Sequence, residues 1–221
     1  MAKRIQLRDR VLPTYSRGEE QMNMITHIVG GGVGVLVLAL CLLKSTDTWS
    51  MASGLVYSIS LIAMFAISSI YHGLRPSMAK KVMQIIDHCA IYFLIAGTYT
   101  VILLSAFRPV YEQLAWGLFI LQWTLVAIAV TLTAIDLKKY NAFSMICYIG
   151  MGWSVLPFWR QAQQVLQKEG FLLLLAGGIV HSIGAVLYGI GSKCKWMHSV
   201  FHIFVVIGSI LQAMAILIFG L

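Results

Sequence analysis

Seven apolar runs, each close to the length needed to cross a bilayer, leave this chain few folds to choose from. They cover about residues 22–43, 51–71, 82–105, 114–135, 142–158, 171–190 and 200–221. A helix rises about 1.5 Å per residue, so roughly twenty apolar residues cross a hydrocarbon layer ~30 Å thick. The fifth run is shorter and ends near Pro157. No run alternates polar with apolar residues, and an open sheet cannot satisfy its edges in lipid, so strands are excluded. The sequence therefore predicts an all-α integral membrane protein, a seven-transmembrane helix bundle. A basic tail over residues 1–21 precedes a single domain over 22–221. Composition agrees: 59% of residues are hydrophobic and 11% charged, more apolar surface than a soluble core of this size uses.

The net charge of +8 does not point to nucleic acid, because the basic residues are scattered through the short segments between runs. Their distribution sets the orientation instead. With the N-terminus inside, the inner segments hold twelve: Lys3, Arg4, Arg8, Arg10, Arg17, Arg75, Lys80, Lys81, Lys138, Lys139, Lys193 and Lys195. The outer segments hold four: Lys44, Arg108, Arg160 and Lys168. The bias predicts a cytoplasmic N-terminus and a C-terminus outside. No apolar stretch precedes Gly18, so the tail is not expected to act as a cleavable signal peptide. Cys41, Cys89, Cys147 and Cys194 lie in four different segments with no paired spacing, which supports neither a disulfide framework nor a thiolate zinc knuckle. The patch Gly30 to Gly34 is expected to let helices approach closely. Trp116, Trp153 and Trp159 are expected at the outer interface and Trp196 at the inner one.

Ionisable side chains at membrane depth are costly, so each is a site candidate unless a plainer account fits. On this topology His72 closes the second run, Asp87 and His88 open the third, and His198 and His202 open the seventh, all at the cytoplasmic end. His198 and His202 are four apart, so on a helix both rings leave one face. Alone, such a pair reads as two interfacial histidines wetted by headgroups. Level with His72 and Asp87, it reads as part of a metal site. Three imidazoles and a water make the open tetrahedral arrangement of catalytic zinc. Asp87 then has three roles open to it: ligand, orienting partner of a ligand histidine, or holder of the water. Ser68, one turn before His72, can reach the same cavity, although a lone serine more often bonds a carbonyl four residues back. His27 and His88 are expected at headgroup level, and His181 is expected to hydrogen-bond between helices. His202, Val205, Ser209 and Gln212 fall on one stripe, which is expected to face the bundle interior.

Four separated motifs carry a family resemblance. They are Glu20-x-x-Asn23-x-x-Thr26-His27, Ser68-x-x-Tyr71-His72, Asp87-His88-Cys89-Ala90-Ile91-Tyr92 with Gly97-Thr98-Tyr99-Thr100, and His198-x-x-x-His202. In this order they resemble the bacterial hemolysin III family, which belongs with the progestin and adipoQ receptors, including the adiponectin receptors. The resemblance covers nearly the whole chain. It implies a seven-helix bundle in a bacterial inner membrane, with zinc near the inner leaflet held by His72, His198 and His202, and with Asp87 and Ser68 around the bound water. The wider superfamily sharing this serine, aspartate and three-histidine pattern includes alkaline ceramidases, which implies lipid-amide hydrolysis.

Two functions from different classes follow. One is a zinc-dependent hydrolase acting on a lipid amide or ester. The other is a non-enzymatic membrane protein, lytic, receptor-like or concerned with membrane-lipid balance, in which zinc is a structural staple. Membrane lipid is the expected partner in both, and nucleic acid in neither. Direct pore formation fits poorly, because the runs are uniformly apolar rather than amphipathic. Proton transport fits poorly too, because the ionisable groups gather at one face.

Overall fold

The computed structural model describes residues 6–191 and 194–221, so Lys3, Arg4 and Lys193 of the charge count lie outside the described residues. Among the described residues the chain forms seven α-helices: α1 (Arg17–Lys44), α2 (Thr48–Gly73), α3 (Met78–Val101), α4 (Glu112–Ile135), α5 (Asn141–Gly152), α6 (Trp159–Gly191) and α7 (Met197–Ala215). Among the described residues there is no strand. Wider turns extend α3 over Ile102–Phe107 and α7 over Ile216–Gly220.

Helix α1 starts within the segment expected to be tail, because Ser16 and Glu19 cap it reciprocally. The Glu19 N–H donates to Ser16 Oγ (3.3 Å) and the Ser16 N–H to the Glu19 carboxylate (2.9 Å). That start draws Glu19 and Glu20 into the first turn, where their charge suits the helix dipole. Asp47 caps α2 by accepting from the N–H groups of Trp49 and Ser50.

The fifth run departs most from expectation. Instead of one helix to residue 158, α5 ends at Gly152, and a turn leads into a short 3-10 segment, Leu156–Phe158. Pro157 has no N–H to continue a helix. The groups freed by the break find side-chain partners, as they must away from water. The Tyr99 hydroxyl donates to the Gly152 carbonyl (2.9 Å) and accepts from the Val155 N–H (3.0 Å), while Gln122 donates to Ser154 Oγ (2.7 Å). Helix α6 begins at Trp159, ahead of the expected start near 171, with a break at Gln167 (φ 59°). Among the described residues six helical stretches are long and apolar enough to cross a membrane, and one of them is the joined stretch Asn141–Gly191.

The helix ends sort into two sets. At one end Glu20 holds His72 and Lys80 while Glu19 accepts from the Trp196 N–H, tying the starts of α1, α3 and α7 to the end of α2. At the other end Lys44 donates to the Leu217 carbonyl (2.6 Å) and Arg108 lies over the Trp49 ring. Helices α1 and α2 pack closely where glycine allows it. A Cβ at Gly30 would sit 2.5 Å from the buried Phe65 ring, and one at Gly34 2.9 Å from Ile62. Gly32 faces open space, so only part of the patch serves packing. Helix α6 packs tightly on α7 but only sparsely on α5. Trp153, expected at the outer interface, is half-buried: it lines a cavity, and its indole N–H donates to Ser182 Oγ (3.0 Å).

Candidate metal centre

His72, His198 and His202 converge at the end where α1, α2, α3 and α7 meet. One ring nitrogen from each lies within 4.8 Å of the other two, and all three residues are buried. The four-residue spacing on α7 puts the Nε2 atoms of His198 and His202 3.1 Å apart. Neither is an interfacial histidine, since they are 8% and 2% exposed.

His72 is oriented from behind. Its Nδ1 lies 2.6 Å from Glu20 Oε2 and 3.4 Å from Asn23 Nδ2. The shorter, charge-assisted contact decides the tautomer: Nδ1 carries the hydrogen and donates it in a hydrogen bond to the Glu20 carboxylate. The Nε2 lone pair is then free, and Nε2 is buried without a hydrogen-bond partner. Glu20 is itself fixed, because Lys80 donates to its other oxygen (2.6 Å) and to the Leu74 carbonyl (2.9 Å). A carboxylate behind an imidazole, with the opposite ring nitrogen unpartnered, is the usual support of a metal-ligating histidine. The donor set of three neutral imidazoles can hold a metal ion.

His27 is buried rather than at headgroup level. Its ring stacks on His202 with centroids 3.9 Å apart, and neither of its nitrogens has a hydrogen-bond partner. It lies outside the three-histidine group. His88 is also held inside, with Nδ1 2.8 Å from the Gln84 carbonyl and Nε2 3.3 Å from the Tyr188 hydroxyl. His181 bonds between helices as expected, its Nε2 donating to the Val205 carbonyl of α7 (3.2 Å).

The cluster opens on a cavity of about 190 Å³ lined mainly by apolar atoms. Asp87 and Ser68 both line this cavity, as do His198 and His202. Asp87 Oδ2 lies 3.7 Å from His88 Nδ1. Sequence reasoning missed two features. Glu20 and Lys80 support His72, and the only hint was that Glu20 opens the first motif. Tyr15 covers the cluster from the N-terminal segment, its ring stacked on His198 (4.7 Å, 15°). Burial there pushes the Tyr15 phenol pKa up, so the ring covers the histidines without charge. Helix α7 starts beside it at Trp196, whose left-handed backbone (φ 66°) is held by its N–H donating to Glu19 Oε1 (2.7 Å).

These features define a multi-pass helical membrane protein with a buried three-histidine donor set under an apolar cavity. The chain belongs to the haemolysin-III related family, whose profile matches residues 15–213. It is 32% identical over 206 residues to Hemolysin-3 of Bacillus cereus, covering 92% of each chain. It is 31% identical to the Hemolysin-3 homolog of Bacillus subtilis (strain 168), over 86% of this chain and 89% of that one. A human protein, monocyte to macrophage differentiation factor, is 25% identical over 85% of this chain and 78% of its own.

Proposed function

We propose that this protein is a zinc-dependent hydrolase of the inner membrane that cleaves an amide or ester bond in a membrane lipid. The observation that carries the reading is the buried group of His72, His198 and His202, two of which, His198 and His202, line one apolar cavity with Asp87 and Ser68. In this reading the chain crosses the bilayer seven times, with its N-terminus inside as the basic bias of the loops supports. The joined stretch Asn141–Gly191 supplies two of those crossings, out through α5 and the 3-10 turn and back through α6. The histidines then lie near the inner leaflet.

Bound by His72, His198 and His202, zinc would supply a Lewis acid that lowers the pKa of water and polarises a carbonyl. Asp87 accepts the proton of the attacking water, and the Ser68 hydroxyl donates to the oxyanion that develops. The sparse packing of α5 on α6 gives lipid a lateral way into the cavity. The test is turnover of a lipid amide and ester panel by purified protein of measured zinc content. Asp87→Asn should retain zinc and lose about 10²–10⁴-fold in rate. A wild-type protein that holds zinc and turns over no member of the panel sinks the hydrolase reading. A second reading, zinc as a structural staple in a non-enzymatic protein, is favoured by one observation. Tyr15 lies flat on His198 and covers the cluster from the cytoplasmic side.

A further inference from the structure

The cavity does not stop at the histidines. It continues between α6 and α7, past His181, to Gln212. Gln212 stands ten residues beyond His202 on α7, about 15 Å along the helix axis. The walls there are apolar, with Leu94, Ile95, Leu174 and Leu175. A carboxamide and an imidazole in such a setting need an explanation, because unpaired polar groups at membrane depth are costly.

The two helices make room for these side chains reciprocally. A Cβ on Gly208 of α7 would come 2.6 Å from the His181 ring, and a Cβ on Gly177 of α6 2.6 Å from Gln212 Cγ. Each helix gives up a side chain where the other inserts a polar one, so both polar groups are built into the interface. Most of the resulting hydrogen-bonding capacity is not used between the helices. His181 donates from Nε2 to the Val205 carbonyl, which leaves Nδ1 as an acceptor. The Gln212 carboxamide makes no hydrogen bond to any described residue, so its two N–H donors and its oxygen remain on offer to the cavity.

We propose that Gln212 and His181 form a second polar station, which reads a hydroxyl carried partway along the acyl chain of the lipid that the cavity binds. The inference rests on the lipid reading above and names the substrate class more narrowly. A hydroxyl both donates and accepts, so it can give its proton to His181 Nδ1 or Gln212 Oε1 and receive one from the Gln212 amide. A ketone can only accept, and an unsubstituted chain leaves every one of these groups unsatisfied.

The experiment is equilibrium binding of ricinoleate, which carries a mid-chain hydroxyl, and of oleate, which lacks it, to the purified protein in detergent. Gln212→Met, similar in size but without the amide, is the comparison. Wild type should bind ricinoleate about tenfold tighter than oleate, the equivalent of one well-made hydrogen bond. Gln212→Met should lose that preference and keep its oleate affinity, which also shows that the variant is folded. Equal affinity of wild type for the two acids overturns the polar station and leaves the lipid reading standing. A parallel loss for both acids in the variant, with wild-type preference retained in ratio, overturns it as well. Binding of neither acid by wild type overturns the lipid reading and this inference together.

Discussion

Glu20 is the residue whose role is most sharply defined by distance. Its carboxylate holds the His72 Nδ1–H at 2.6 Å and is held in turn by Lys80 at 2.6 Å. Neutralising it should leave the His72 ring in place but weaken its orientation and its basicity as a ligand. Glu20→Gln is therefore expected to lower metal affinity about 10–100-fold, measured by chelator competition on purified protein. An unchanged affinity would mean that the carboxylate serves only the contact between α1 and α3. His72→Ala removes one of the three candidate donors and should abolish stoichiometric metal. His27 makes a useful contrast: it is stacked against His202 but stands outside the donor group, so His27→Phe should keep the stack and the metal.

Among the elements, the break after α5 is where a single side chain decides the local fold. The Tyr99 hydroxyl satisfies both the Gly152 carbonyl and the Val155 N–H across the gap between α5 and the 3-10 turn. Tyr99→Phe leaves the buried Val155 N–H and the partly buried Gly152 carbonyl without that partner and should cost about 1–3 kcal/mol, read as a lower midpoint in a thermal melt. Retained stability would show that Gln122, bonded to Met151 and Ser154, suffices alone. This break was only half legible in sequence. Pro157 marks the end of the run, but a partner hydroxyl on α3, more than fifty residues earlier, leaves no local trace. The early start of α1 was in principle legible, since Ser16 and Glu19 have capping-box spacing. It was hidden by the polar composition that made the segment look like tail.

For the whole molecule the open question is what a bound ion does to the bundle. The donor histidines sit on α2 and α7, and through Glu20 and Lys80 the same site engages α1 and α3. If zinc is a staple for these helices, stripping it should lower the melting temperature sharply, because a ligand that binds only the folded state adds its binding free energy to stability. If it is catalytic, turnover should vanish while the melt moves little, because the close packing of α1 on α2 and of α6 on α7 does not pass through the ion. Measuring the melt and the turnover on the same stripped and reloaded samples separates the two.

The sequence alone determined the helical class, the approximate extent of most helices and the three histidines expected to meet. Apolar length, loop charge and the four-residue histidine spacing are local properties that survive without a partner. It also placed the stripe of His202, Val205, Ser209 and Gln212 toward the interior, where the cavity and the buried Ser209 now lie. Only the tertiary structure decided that the three expected histidines come within 4.8 Å of one another, that His27 is buried against His202, and that Trp153 lines a cavity. Those outcomes depend on which helices become neighbours and on how far each is rotated about its axis. Helix rotation is set by contacts such as Gly30 on Phe65 and Gly208 on His181, made between residues far apart in the chain.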